Sequence, residues 1–92
     1  MSLPNAKHIE VGKSRGRVTV TIDDWELFDV VEDLLVEDHN LDFEYYTEVE
    51  LEGRKCFVMH FAESVSIERI ERAIRSIPEA EVERIWRLNN EL

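Results

Sequence analysis

From Arg17 to Asp23 the chain reads RVTVTID, with Val18, Val20 and Ile22 alternating against Arg17, Thr19 and Thr21. A period of two is that of a strand with one buried face. The period then changes. In DDWELFDVVEDLLVEDHN, Leu27, Phe28, Val31, Leu34 and Leu35 recur at helical spacing, while Asp29, Glu32, Asp33 and Glu37 take the outer faces. Asp23 or Asp24 supplies the N-cap, Glu26 stands three residues after Asp23 as in a capping box, and Asn40 suits the C-terminal cap. DFEYYTEVELEGRKCFVMHFAE reads as a hairpin turning near Glu52-Gly53-Arg54. A three-residue loop sets Val49 opposite Phe57 and Tyr45 opposite Phe61, and a two-residue loop sets Glu48 opposite Phe57. Apolar pairing favours the first. Phe57, Met59 and Phe61 are then core, with Tyr46, Cys56, Val58 and His60 on the opposite sheet face.

A second helix follows in SVSIERIERAIRSI, capped by Ser66, with Val65 stapled against Ile70 and Ile67, Ile70, Ile74 and Ile77 as the buried stripe. Pro78 ends it. VERIWRL fits either period. Val82, Ile85 and Trp86 suit a helix, but the Val and Trp content after a break containing proline favours a strand. The resulting order is β-α-β-β-α-β. It predicts an α+β, ferredoxin-like fold: a four-stranded antiparallel sheet with two helices on one face and the other face open. Residues 1–16 read as a polar flexible leader, with at most a short strand at His8 to Val11, and residues 17–92 as a single domain.

VTVTIDD entering LFDVVEDLL, then NLDF, the hairpin and IERIERAIRSIPEAEVERI resemble the layout of ACT regulatory domains, over most of the chain. The resemblance implies a small-molecule-sensing dimer.

Charge narrows the function further. The 92 residues carry a formal net charge of −10. Between Val18 and Gly53 stand thirteen Asp and Glu residues and no Lys or Arg. Nucleic acid and anionic membranes both require a basic footprint, so neither is expected as a partner. No apolar run approaches the roughly 18 residues of a membrane span. The polar first fifteen residues carry no apolar signal-peptide core, and a cytoplasmic location is expected. Cys56 is the sole cysteine, which excludes an internal disulfide.

Motifs add little chemistry. Gly12-Lys13-Ser14 resembles the end of a phosphate loop, but Lys7 stands where the first glycine is required, and a strand rather than a helix follows. Asp38, Asn40 and Asp42 match the start of a calcium loop, whose Gly and Glu positions hold Phe43 and Val49. Cys56 and His60 share a strand face about 13 Å apart, too far to pair. Glu48 and Glu50 stand about 7 Å apart, on a strand predicted to be a sheet edge, where charge blocks aggregation. No catalytic residue, metal ligand or cofactor is therefore assigned. The sequence points to a non-enzymatic interaction or regulatory module. Asp29, Glu32, Asp33, Glu44, Glu48 and Glu50 would bind a basic protein partner, and Tyr46, Cys56, Val58 and His60 would serve a homodimer contact.

Overall fold

The structure is a computed structural model and describes residues 8–90. Its four strands are β1 (Ile9–Ser14), β2 (Arg17–Ile22), β3 (Phe43–Leu51) and β4 (Arg54–Phe61). They form one antiparallel sheet in the order β1-β2-β4-β3. The helices are α1 (Trp25–Glu32), which runs on into a π-helical turn (Asp33–Asp38), α2 (Ile67–Arg75) and α3 (Glu79–Asn90). The fold is α+β with an open four-stranded sheet and three helices, and the ferredoxin-like β-α-β-β-α-β order is not realised.

Two segments account for the difference. The expected last strand is the helix α3. Pro78 accepts from the N–H groups of Glu81 and Val82 at its start, and the first turn is acidic. Glu81 pairs with Arg84 and Glu83 with Arg87 at one-turn spacing. Val82 and Ile85 reach the core, as a helical stripe does. Meanwhile the sheet edge beside β2, which a last strand would have filled, is taken by β1. The expected leader is thus in part a strand: residues 9–14 pair with β2 from Ile9↔Ile22 to Ser14↔Arg17. Arg15 and Gly16, both at positive φ, make the turn between them. Residues 1–7 of that leader lie outside the described residues.

The β3–β4 register also differs from the sequence expectation. Leu51 pairs with Arg54, so the loop is the two residues Glu52 and Gly53, and Glu48 stands opposite Phe57. Glu52 at φ 52° and Gly53 at φ 77° take the left-handed geometry that matches the twist of a two-residue hairpin. Glu44 is an extra residue in β3, because Phe43 pairs with Phe61 while Tyr45 already pairs with His60. Phe43 and Tyr46 therefore share the helix-covered face. Tyr45, Thr47 and Val49 stand on the open face with His60, Val58 and Cys56. From Tyr45 to Leu51 the alternation expected for β3 is reversed by the shorter turn, and the bulge returns Phe43 to its expected face.

The core lies between the sheet and the helices. Ile9, Val20, Ile22, Met59 and Phe61 meet Leu27, Phe28, Val31 and Leu35 of the first helical segment and Ile70, Ala73 and Ile74 of α2, all at most 2 % exposed. Asp24 caps α1, its Oδ2 accepting from Leu27 N–H at 2.9 Å, and Ser66 caps α2 through Arg69 N–H. Asn40 at φ 53° turns the chain from the first helix towards β3.

Candidate functional site

On α1 and the first residue of the π-helical turn that continues it, Trp25, Asp29, Glu32 and Asp33 fall along one stripe, at the spacing of successive helical turns. Ligand oxygens of Asp29, Glu32 and Asp33 lie within 4.8 Å of one another. Among the described residues no basic side chain pairs with any of the three. Partial burial pushes the Glu32 carboxyl up, and the charges of Asp29, Asp33 and Glu37 push it further in the same direction.

The sign of this effect makes it testable. A carboxyl raised in the fold is destabilising when ionised, and the penalty disappears as pH falls below its unfolded value. Glu32→Gln is therefore expected to stabilise the protein at pH 7, by about 0.5 kcal/mol as for like charges one turn apart. Urea denaturation at pH 7 and below pH ~4 checks it: the gain should vanish at the acid end.

The acids of β3 stand differently. Glu44 accepts from Arg17 Nη1 at 2.6 Å across the sheet, and Glu48 lies 3.3 Å from Lys55 Nζ. Glu50 is directly opposite Lys55 in the ladder. The block of acids that is continuous in sequence thus divides into a compensated edge on β3 and an uncompensated face on α1.

An aromatic cluster borders that face. Trp25 stacks on Phe28 with ring centroids 5.2 Å apart, meets Phe57 edge-on at 5.1 Å and tilts against Tyr46 at 5.8 Å. Trp25 is nevertheless 47 % exposed and Tyr46 42 %. Tyr46 is accordingly on the helix side of the sheet and not on the open face where the sequence placed it. The two-residue turn at Glu52 and Gly53 put it there by setting Tyr46 opposite Met59.

The other three residues expected on the open face are there together. His60 stacks on Tyr45 at 4.4 Å, and Thr47 Oγ1 and His60 Nε2 share a hydrogen bond of 3.0 Å. Cys56 is buried. Burial first, and then the charge of Asp23, push its thiol up, so the reactive thiolate is disfavoured. Gly12-Lys13-Ser14 lies within β1, without the loop-to-helix geometry that cradles a phosphate.

A further cluster escaped the sequence reading. His8 is 5 % exposed. Its Nδ1 lies 3.4 Å from Asp23 Oδ2 and its Nε2 3.0 Å from Glu83 Oε1. Its ring stacks on Trp86 at 4.6 Å, and Arg54 lies over the same indole. Separations of 15 and 75 residues leave no local signal for this clamp.

No family model matches the chain, and no curated protein or solved structure matches it either. The likeness to ACT domains thus remains one of layout, and the layout itself lacks the last strand. No helix of the described residues is long and apolar enough to cross a membrane.

Proposed function

We propose that this protein is a non-enzymatic interaction module that binds a basic protein partner through the outer face of α1 and the adjoining edge of β3. The observation that carries the reading is the joint placement of three uncompensated carboxylates, Asp29, Glu32 and Asp33, beside the half-exposed Trp25–Tyr46 pair. Aromatic anchors rimmed by charge are the pattern of binding hot spots. Uncompensated charge steers association with a partner of opposite sign, and the mutual repulsion that raises Glu32 would be relieved by that partner. Glu44, Glu48 and Glu50 extend the acidic rim, but their basic neighbours weaken their share of the field.

The test is capture of the partner from native lysate at low salt, with release at high salt. Reversing Asp29, Glu32 and Asp33 to Lys is expected to abolish capture. Reversing Glu48 and Glu50 should weaken it less. Retention by the triple reversal would overturn the reading. A second reading, the small-molecule-sensing homodimer, rests on the uncovered sheet face, where a cavity of about 550 Å³ lies beside Arg15, Arg17, Tyr45 and His60. Recovery of nothing but further copies of the chain would favour it.

A further inference from the structure

The first helical segment ends in a left-handed turn. His39 closes it, donating its N–H to Leu34 O, and Asn40 at φ 53° redirects the chain. Leu41 then drops into the core, 4 % exposed, with its N–H on Leu35 O. Two carbonyls of this helix end are thus answered by the turn itself, and His39 is left exposed. The helix α2 packs against the same segment. Its Arg69 and Arg72, three residues apart, are neighbours on the helix surface. His39, Leu41, Arg69 and Arg72 line a cavity of about 70 Å³.

Charge decides what this cavity can hold. Among the described residues no carboxylate lines it. Elsewhere in the fold Arg17, Arg54, Lys55, Arg84 and Arg87 each meet a carboxylate. Arg69 and Arg72 meet none among the described residues, although Glu68 stands one turn from Arg72 on the same helix. A chain with 21 Asp and Glu against 11 Lys and Arg therefore leaves two guanidiniums and an imidazole around one space without an acid. Each guanidinium offers a planar fork of N–H donors, and an imidazole keeps at least one N–H in either charge state. Size narrows the ligand further. The volume is several times the ~10–15 Å³ that one water needs. It is well below the ~300–1,000 Å³ of sites that enclose larger molecules. A tetrahedral oxyanion meets both limits, being compact and able to accept hydrogen bonds on several sides.

We propose that His39, Arg69 and Arg72 form a site for a single phosphate group. The two guanidiniums donate to its oxygens, and the imidazole closes a third side beside the buried Leu41. The site shares no residue with the acidic face of α1 and does not depend on the partner reading. The net charge of −10 repels anions at a distance, but that repulsion is screened beyond about 8 Å at physiological salt. At contact the two adjacent guanidiniums set the sign.

Titration of the intact protein with inorganic phosphate at fixed ionic strength tests the proposal, followed by NMR of the arginine Nε–H and His39 ring signals. Chloride and glycerol phosphate form parallel arms. Phosphate should bind saturably at one site and move the signals of Arg69, Arg72 and His39. Chloride, without oxygens for the guanidinium fork, should bind at least about tenfold more weakly. Arg69→Gln and Arg72→Gln should each weaken phosphate binding about tenfold. Both side chains are exposed, and the Ser66 cap uses the backbone N–H of Arg69, so denaturation of both variants should match the parent. Arg75→Gln removes the next arginine of α2, which does not line the cavity, and should leave the affinity unchanged. Equal losses from Arg75→Gln and Arg69→Gln, or equal binding of chloride and phosphate, would mean diffuse attraction by α2 and would overturn the proposal. So would the absence of saturable phosphate binding. The ester arm names the source once phosphate binds: glycerol phosphate binding as well as phosphate supports a site for a phosphate monoester, and its exclusion supports one for the free ion.

Discussion

Phe28→Ala is expected to cost about 3–5 kcal/mol, the range for deleting a buried phenyl ring. Phe28 is 2 % exposed. It is the hub of the aromatic cluster, with ring centroids 5.2 Å from Trp25, 5.2 Å from Tyr46 and 5.8 Å from Phe57. Its removal opens a cavity and also takes the support from the two half-exposed rings of the proposed partner surface. A domain of this size has roughly 5–15 kcal/mol of stability in all. The variant should therefore unfold at a far lower denaturant midpoint, with Trp25 emission shifted to the red. Phe28→Leu keeps most of the volume and should cost under about 1.5 kcal/mol. A loss below about 1 kcal/mol in Phe28→Ala would show that the cluster collapses into the space and is not the fixed platform described here.

His8→Ala has the second largest expected effect, about 2–3 kcal/mol, from the loss of a buried group hydrogen-bonded to charged partners. The imidazole joins three separate elements, since it sits at the start of β1 and meets Asp23 at the end of β2 and Glu83 on α3. Removing it leaves two carboxylates without this shared partner and uncovers a face of Trp86. Arg54 beside Asp23 and Arg87 beside Glu83 offset part of the loss. That is why the estimate lies below the range for breaking a fully buried ion pair, about 3–5 kcal/mol. His8→Gln keeps one polar contact and loses the stacking, so its cost should be intermediate. In a Trp25→Phe background the emission of Trp86 reports the same event. It should shift to the red in His8→Ala before global unfolding, because a face of the Trp86 ring loses its cover and α3 loses one of its ties to the sheet. An unchanged denaturation midpoint would show that the clamp contributes nothing net.

How far the sequence could be read depends on whether the deciding interactions were local. The β2 strand, α1 with its Asp24 cap, α2 with its Ser66 cap and the existence of the β3–β4 hairpin follow from period and capping chemistry, which act within one or two turns of chain. The same holds for the acidic block, which is plain from composition. The register of the hairpin was not legible: Val49 meets Cys56 rather than Phe57, Tyr45 meets His60 rather than Phe61, and the bulge at Glu44 brings Phe43 opposite Phe61 instead. Elsewhere the two left-handed residues of the turn set the register, and the aromatic side chains divide between the faces: Tyr46 beside Trp25, and Tyr45 on His60.

The segment from Val82 to Leu88 was ambiguous for a physical reason. Short stretches with few apolar residues fit both periods. Its Glu–Arg pairs at helical spacing favour a helix, as does its entry from Pro78, and these outweigh the strand preference of Val82 and Trp86. The sheet slot it might have filled was already occupied by β1. No local pattern shows which of two distant segments will pair with β2.

By itself, then, the sequence determined β2, α1 and α2 with their caps, the presence of the β3–β4 hairpin, and a chain with thirteen acids and no base between Val18 and Gly53. Tertiary structure decided which acids are compensated. Arg17 and Lys55 reach Glu44 and Glu48 across strands, whereas among the described residues no basic side chain pairs with Asp29, Glu32 or Asp33, which gather with one another. It also decided that His8, Asp23 and Glu83 meet, and that the helix-covered face holds Tyr46. Charge sign and period are properties of neighbours along the chain. Compensation, clamping and strand order depend on which distant residues the packed core brings within a few ångströms, and Coulomb and hydrogen-bond energies act at that range.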